Sequence, residues 1–392
     1  MWYFRSPEIV FGEDALDHLA YLKGDLAIIV TDETMVRLGF VELVKGKLAE
    51  AGLDCDVFDQ VEPEPSLETV ERGAALMLEK EPDWIVGLGG GSALDAAKAM
   101  WILYERPDLA PEEINPLEEL GLRQKARLAA IPTTSGTGSE STWAVVLTDT
   151  QEGRKIPTGA PECTPDIAIV DPVFAARMPP RLTADTGLDA LTHAIEGYTS
   201  TWHNDFSDGL CLKAIQTIFA YLPRAFADGG DAQAREKMHN AATLAGLGFI
   251  NSLAAAAHAL GHSLGAVFQV PHGRAVSLFL PYTIQFNALA EGDRPTRYVD
   301  IARFLGLPAA DEKEGAASLV SAVRDLEQRV EQPLSIRQAL PDLTPSQFAA
   351  RLDKLVDNAE MDATIVASAR DPSTNDTRRL FQYAYYGKDV DF

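Results

Sequence analysis

The first 180 residues alternate short β-branched and apolar runs with helix-like stretches, and no other feature restricts the fold as tightly. Leu26 to Thr31 reads as a buried strand, Glu33 to Ala51 as a helix, Asp54 to Phe58 as a strand, Ser66 to Lys80 as a helix, and Asp83 to Leu88 as a strand entering a glycine turn. Strands separated by helices pair in parallel, because each helix carries the chain back along the sheet, so a parallel sheet covered by helices is expected. From Arg181 onward the pattern is helical. Met178-Pro179-Pro180 marks the boundary, since two prolines end whatever precedes them. Residues 1–180 and 181–392 are therefore expected to form separate domains, and a chain of 392 residues has material for two cores at roughly 100 to 200 residues each.

One stretch stands apart. From Met238 to Gly273 no Asp, Glu, Lys or Arg occurs across 36 residues, although 23% of the chain is charged. Ile250 to Val270 has the length of a membrane span, but Asn251, Ser252, His258, His262, Ser263 and Gln269 interrupt it. The expectation is a helix, or a pair of helices, buried on all sides. His258, His262 and His272 then sit in the least polar part of the protein. Elsewhere acidic residues dominate: 34 Lys and Arg against 58 Asp and Glu leave a net charge of −24. That balance works against nucleic acid and anionic membranes as partners, because such binding draws its affinity from Lys and Arg. Cys55, Cys163 and Cys211 are scattered and form no C-x-x-C pair, which excludes a disulfide framework and a thiolate zinc site. With no apolar run behind a basic start near the N-terminus, the cytoplasm is the expected compartment.

Two segments suit an anionic ligand. Trp84 to Lys98 reads as strand, glycine turn and helix start, where Gly89, Gly90 and Gly91 allow close backbone approach and Ser92 is expected to cap the helix. Free amides at such a turn hold a pyrophosphate without any basic patch, although glycine-rich turns also serve as plain tight connections. The segment matches neither G-x-G-x-x-G nor a P-loop. Pro132 to Glu140 (PTTSGTGSE) follows another apolar run and offers further hydroxyls and amides. Open α/β sheets bind ligands at such strand ends. Asp32, ending the first strand, suits either a ribose hydroxyl, disfavouring a 2′-phosphate, or the cap of the next helix.

Asp189 and His193 are four apart, as are His258 and His262, so each pair shares a helix face; His272 follows at a turn. Asp and His without Cys suit Fe(II) or Zn(II). A single buried histidine is commonly a hydrogen-bonded core residue, but a buried Asp189 among several of them needs a partner. There is no H-E-x-x-H and no G-x-S-x-G, which disfavours a zinc protease and an α/β-hydrolase.

Four blocks in order, Gly89-Gly-Gly-Ser-x-x-Asp95-x-x-Lys98, Pro132-Thr-Thr-x-Gly-Thr-x-x-Glu140, Thr186-Gly-x-Asp-Ala-Leu-Thr-His-Ala-Ile-Glu196 and His258-x3-His262-x9-His272-Gly273, resemble the iron-dependent (group III) alcohol dehydrogenase family, nearest its lactaldehyde reductase and propanediol dehydrogenase branch. The resemblance implies an α/β, Rossmann-like nucleotide-binding domain with a mostly parallel sheet, followed by an all-α metal-binding domain, in the dehydroquinate synthase-like architecture. It implies that Asp189, His193, His258 and His272 hold Fe(II), with Zn(II) as the alternative. Gly89, Gly90, Gly91 and Ser92 would meet the pyrophosphate of NAD(H), with NADP(H) less favoured. Asp95, Thr133, Thr134 and Leu147 would line the rest of the cofactor site, and Lys155 would lie near the nicotinamide ribose. Asp32 matches an aspartate linked to NAD preference, and His262 a histidine near the nicotinamide that is not a ligand. Two departures stand out: Glu64-Pro65 replaces the usual Asn-Pro, and Thr374-Asn-Asp-Thr-Arg378 replaces a Thr…Asn-Pro-Arg run.

The implied activity is hydride transfer between nicotinamide and a small alcohol or aldehyde at the metal, in the interdomain cleft. His262 would be a proton relay or, equally, a packing residue, and a homodimer or larger homo-oligomer is the family expectation. Competing readings are a zinc polyol (glycerol-type) dehydrogenase, a dehydroquinate synthase-like lyase, which would need Lys or Arg near the metal, and a catalytically silent metal-binding member.

Overall fold

The computed structural model describes residues 3–115, 119–151, 154–290 and 296–392. It divides into two compact units, Met1–Met178 and Pro179–Phe392. Among the described residues no helix is long and apolar enough to cross a membrane.

Among the described residues the first unit carries eight strands: β1 (Glu8–Phe11), β2 (Leu26–Val30), β3 (Asp54–Phe58), β4 (Trp84–Gly89), β5 (Arg127–Pro132), β6 (Ala144–Asp149), β7 (Arg154–Gly159) and β8 (Ile167–Val170). Six form a sheet in the order β1-β8-β5-β4-β2-β3, every pair parallel, while β6 and β7 make a separate antiparallel ribbon. Its helices are α1 (Glu33–Arg37), α2 (Phe40–Glu50), α3 (Leu67–Lys80), α4 (Gly91–Glu105) and α5 (Pro172–Ala175). Alternate strand residues serve opposite faces. Ile28, Val30, Ile85 and Leu128 pack with α3 and α4, whereas Ala27, Ile29, Val86 and Ile131 pack with α2. Burial on both faces explains why these strands read as continuous apolar runs. The helix expected over Glu33–Ala51 is two helices, because Gly39 takes φ 79° and breaks the ladder after Leu38.

The strand order reverses between β2 and β4: the chain moves outward from β2 to β3, then crosses to β4 and continues the other way through β5 and β8. A crevice opens at the carboxyl ends of strands at such a switch point. Asp32 follows β2, and the glycine turn ends β4.

The second unit is helical: α6 (Pro180–Thr199), α7 (Asp205–Ala227), α8 (Ala232–Ile250), α9 (Ala256–Phe268), α10 (His272–Ala288), α11 (Tyr298–Phe304), α12 (Glu312–Arg329), α13 (Ile336–Ala339), α14 (Pro345–Glu360) and α15 (Thr374–Tyr386). Pro179 and Pro180 begin α6, where a missing N–H costs nothing. The charge-free stretch supplies most of α8, all of α9 and the start of α10. One apolar cluster joins α6, α7, α8 and α12, and another joins α9, α10, α14 and α15.

α9 lies hard against α10. A Cβ on Gly261 would fall 2.6 Å from Val276 Cα and 2.7 Å from its backbone nitrogen, so the side chain cannot simply swing away. Gly261→Ala is expected to cost about 1–3 kcal/mol through overpacking. The check is a fall in the urea midpoint of unfolding; an unchanged midpoint would show that the two helices separate freely.

Candidate metal and nucleotide sites

α6 places Asp189 and His193 one turn apart, α9 contributes His258, and His272 is the first residue of α10. One ligand atom from each of Asp189, His193, His258 and His272 can be chosen so that all lie within 4.8 Å of one another. From Asp189 Oδ1, His272 Nε2 is 3.3 Å away and both His193 Nδ1 and His258 Nε2 are 3.9 Å away. Ligands about 2.1 Å from a tetrahedral metal are separated by roughly 3.4 Å, so these spacings fit a divalent ion.

Asp189 Oδ1, His193 Nδ1 and His258 Nε2 are buried and make no hydrogen bond. Groups of this kind rarely go unpaired in a folded core. Three such atoms meeting at one point fit a metal better than they fit packing. Burial alone would raise the Asp189 carboxyl, but the imidazoles of His193, His272 and His258 outweigh it and hold the group well below the usual carboxylate range. Burial holds the His193 imidazole far below its usual value despite Asp189, so it remains neutral, as metal ligation requires.

Glu196, one turn beyond His193 on α6, organises the site. Its Oε2 accepts the N–H of Ala255 at 2.9 Å and its Oε1 that of Ala257 at 2.6 Å, which satisfies amides at the start of α9 where Ala255 offers no capping side chain. Oε2 also lies 2.5 Å from His258 Nδ1. Burial would depress the His258 imidazole, but the Glu196 charge and hydrogen bond reverse this and raise it. With Nδ1 bound to the carboxylate, Nε2 is left for a metal, the carboxylate–histidine arrangement common behind ligands. Gly273 makes the closure of α10 on α6 feasible, since a Cβ there would sit 2.2 Å from the Asp185 carbonyl oxygen and 3.1 Å from Asp189 Cβ.

His262 is not part of the four-residue cluster, but its ring centroid lies 5.2 Å from that of His272 and 5.8 Å from that of His258. Its Nδ1 is 2.7 Å from Asp362 Oδ2, on a carboxylate whose Oδ1 accepts the Thr364 N–H and hydroxyl at 2.9 and 2.7 Å. Burial pushes the His262 imidazole down, with Asp362 only partly opposing it. Burial of Asp362 is outweighed by its contacts with His262 and Thr364, which hold that carboxyl well below its usual range.

In the first unit, the two turns expected to meet an anion lie side by side. Thr133 N–H donates to the Gly89 carbonyl at 2.9 Å, and a Cβ on Gly90 would be 3.3 Å from Thr134 Cγ2. Gly89 takes φ 153°, open only to glycine, and a Cβ there would strike Ala93 at 2.6 Å. Ser92 does not cap α4, contrary to expectation. Gly90 is the N-cap, without a side-chain hydrogen bond, and the Ser92 hydroxyl accepts the Glu64 N–H at 3.2 Å, so the first amides of the helix are not consumed by a cap. Asp32 does cap: Oδ1 accepts from Thr34 and Met35 N–H at 2.7 and 3.2 Å, while Oδ2 lies 3.6 Å from where a Gly89 Cβ would stand. Asp32 therefore gives one oxygen to the helix start and turns the other toward the glycine turn.

Asp95 Oδ1 accepts from the Ser139 hydroxyl at 2.6 Å and Oδ2 from Val146 N–H at 3.0 Å, fastening the second turn to α4. Lys98, fully buried, donates to Ser139 Oγ, Thr142 Oγ1 and the Ala144 carbonyl at 2.8, 3.2 and 3.0 Å. Leu147 is buried in β6, and Lys155 on β7 pairs with Glu64 Oε1 at 2.6 Å. Glu64 itself takes φ 60°, a conformation asparagine tolerates more readily.

The sequence model of iron-containing alcohol dehydrogenases matches residues 6–172, and that of the C-terminal part of the Fe-containing family matches residues 183–385. The chain belongs to the iron-containing alcohol dehydrogenase family. Membership makes it an oxidoreductase acting as an alcohol dehydrogenase. It is 41% identical to the NADPH-dependent butanol dehydrogenase of Clostridium saccharobutylicum across 100% of both chains. It is 37% identical to the 1-propanol dehydrogenase of Citrobacter freundii, covering 92% of this chain and 93% of that one. The iron-containing alcohol dehydrogenase structure from Thermococcus thioreducens aligns with TM-score 0.90 and 32% identity over 99% of this chain and 100% of that one. A 1,3-propanediol oxidoreductase structure aligns with TM-score 0.89 and 31% identity, covering 98% and 100%.

Within this iron-dehydrogenase frame, Glu196, Asp362 and Lys98 are the residues whose roles sequence reasoning missed. Glu196 had a signal, since it lies seven residues beyond Asp189 on the same helix face. Asp362 had none, being 100 residues from its histidine. Glu196→Gln removes the charge that orients His258 and is expected to weaken Fe(II) or Zn(II) binding about 10–100-fold. Metal titration of the apoprotein checks this, and unchanged affinity would confine Glu196 to capping α9.

Proposed function

We propose that the chain is an Fe(II)-dependent, NAD(H)-linked dehydrogenase interconverting small alcohols and aldehydes, with Asp189, His193, His258 and His272 as the metal ligands. The observation that carries the reading is the meeting of those four side chains, including three buried atoms without hydrogen bonds, in a chain of this family. Residues 1–180 are assigned to the nucleotide and 181–392 to the metal. A homo-oligomer in the cytoplasm is the family expectation for its assembly and place.

When bound, iron supplies the Lewis acidity that polarises a substrate oxygen, and nicotinamide supplies or accepts the hydride. The protein's own part is positional. Asp189 contributes the one negative charge of the ligand set, and three imidazoles add none, so the site keeps net positive character toward an oxygen substrate. Glu196 fixes the His258 ring. The charge-free stretch from Met238 onward helps keep Asp189, His193 and His258 buried, which strengthens the charge interactions among them. With the second turn fastened alongside by Asp95 and Lys98, the turn of Gly89, Gly90, Gly91 and Ser92 receives the pyrophosphate. Thr133 and Thr134 border the same turn, Leu147 belongs to the apolar wall behind it, and Lys155 is assigned to the nicotinamide ribose. His262 is assigned to the proton, with the ring held beside His272.

Removing metal with a chelator is expected to abolish alcohol-dependent NADH formation and aldehyde-dependent NADH consumption, and Fe(II) or Zn(II) should restore them. His258→Ala should lose metal and activity yet retain nucleotide binding. If nucleotide binds while neither metal supports turnover of any short alcohol, aldehyde or ketone, the dehydrogenase reading fails.

The Asp32 carboxylate beside the glycine turn favours NAD(H), by repulsion of a 2′-phosphate, whereas the Clostridium saccharobutylicum relative is by name NADPH-dependent. Asp32→Asn keeps an oxygen for the α1 cap and removes only the charge. The ratio of kcat/KM with NADPH to that with NADH is expected to rise roughly five- to tenfold, about 1 kcal/mol or slightly more. A ratio already above one in the unaltered protein, or unmoved in the variant, removes Asp32 from cofactor choice.

A further inference from the structure

We infer that Asp362 is a positioning residue for His262: it fixes the ring and its tautomer, with the proton on Nδ1 and Nε2 left as the acceptor for a substrate hydroxyl. The inference deepens the proposed function and rests on it for the identity of that substrate.

Three observations carry it. Asp362 is the N-cap of the 3-10 turn Ala363–Ala367, which follows α14 and packs against α9. Its Oδ1 is committed to that turn by the Thr364 amide and hydroxyl, so the carboxylate cannot rotate without uncapping it. Its other oxygen, Oδ2, lies 2.7 Å from His262 Nδ1, and an ionised carboxylate only accepts, so Nδ1 must donate. The opposing nitrogen of a neutral imidazole is then unprotonated. The ring is also held by stacking on His272, with centroids 5.2 Å apart and planes inclined by 26°.

The chemistry balances. In alcohol oxidation the O–H bond breaks and its proton goes to His262 Nε2, while the carbon-bound hydrogen leaves with its electron pair as hydride to the nicotinamide. The C–O bond becomes a carbonyl, and the imidazolium formed stands against the Asp362 carboxylate. Aldehyde reduction runs the same transfers backwards. A carboxylate that holds a histidine in the useful tautomer and steadies its protonated form is an established way to make an imidazole an effective base.

The discriminating variant is Asp362→Asn. The asparagine carbonyl can keep the Thr364 contacts, but its NH2 then faces His262 and donates where the carboxylate accepted. In the Zn(II)-loaded, diamagnetic holoenzyme labelled with 15N-histidine, the unaltered protein should show His262 protonated at Nδ1, and Asp362→Asn should move the proton to Nε2. With metal content and thermal midpoint unchanged and KM within about twofold, kcat should fall roughly 10–100-fold. In a His262→Ala background the same substitution should change kcat by less than about twofold, since the effect passes through the histidine. His262 protonated at Nε2 in the unaltered protein, or a tautomer indifferent to Asp362→Asn, overturns the inference, as do two substitutions whose effects on kcat multiply. Should the unaltered enzyme turn over no alcohol, the proposed function fails, and the tautomer measurement still decides the role of Asp362.

Discussion

A carboxylate sunk in an apolar helical core is the constraint on which the second unit depends. Asp189 is 1% exposed, and its Oδ1 makes no hydrogen bond. Leaving a charge there unpaired would cost far more than the few kcal/mol by which a domain of this size is usually stable. The imidazoles of His193, His272 and His258 gathered around it answer that cost, so the packing of three helices is tied to one carboxylate. Everything near Asp189 serves close approach: Gly273 lets α10 begin against α6, Gly261 lets α9 lie on α10, and Phe249 stacks on His193 at 4.2 Å. The absence of charged residues from Met238 to Gly273 then has a physical reason, since a further unpaired charge among these packed helices would have to be buried beside Asp189.

The first unit solves the opposite problem. In a protein of net charge −24, the end of β4 presents glycine backbone amides that no side chain caps, a feature suited to an anion without any basic patch. Lys98, fully buried in that region, is turned inward onto Ser139, Thr142 and Ala144, where it stiffens the second turn. Its burial pulls the amine below the ordinary lysine range, and three acceptors offset the loss of water. Together with Asp95, Lys98 keeps the second turn at a fixed spacing from α4 and so from the glycine turn.

Much of this was legible from the residues. The buried parallel strands announce themselves as β-branched runs, because both faces of such a sheet are covered, and β2 lies within the Leu26–Thr31 run. The meeting of Asp189 with the histidines was legible because helical periodicity pairs Asp189 with His193, and because histidines in a charge-free stretch are out of place. Contacts that depend on the meeting of distant elements were not. Asp362 reaches His262 only because the turn after α14 packs on α9, and no local pattern encodes that. Ser92 looked like a cap because serine prefers that position, but the helix begins earlier, at glycines whose amides stay open. The Gly39 break in the helix from Glu33 to Ala51 was hidden by good helix formers on both sides.

Helix starts separate scaffold from site more sharply than composition does. Within the helical unit, α7, α8, α12, α13, α14 and α15 are each capped by a side chain at the N-cap, from Asn204 to Ser373. The three helices that assemble the metal cluster, α6, α9 and α10, begin at Pro179, Ala255 and Pro271, none of which caps. α11 is likewise uncapped and lies outside the site, so lack of a cap alone is no signature. For α9 the meaning is specific. A capping Ser or Asp at position 255 would compete for the Ala257 amide that Glu196 binds and loosen the Glu196 carboxylate from its fixed orientation, and with it the His258 ring that Glu196 holds. The missing cap is therefore a condition of the site: the helix start is completed by another helix, and that completion sets the ligand.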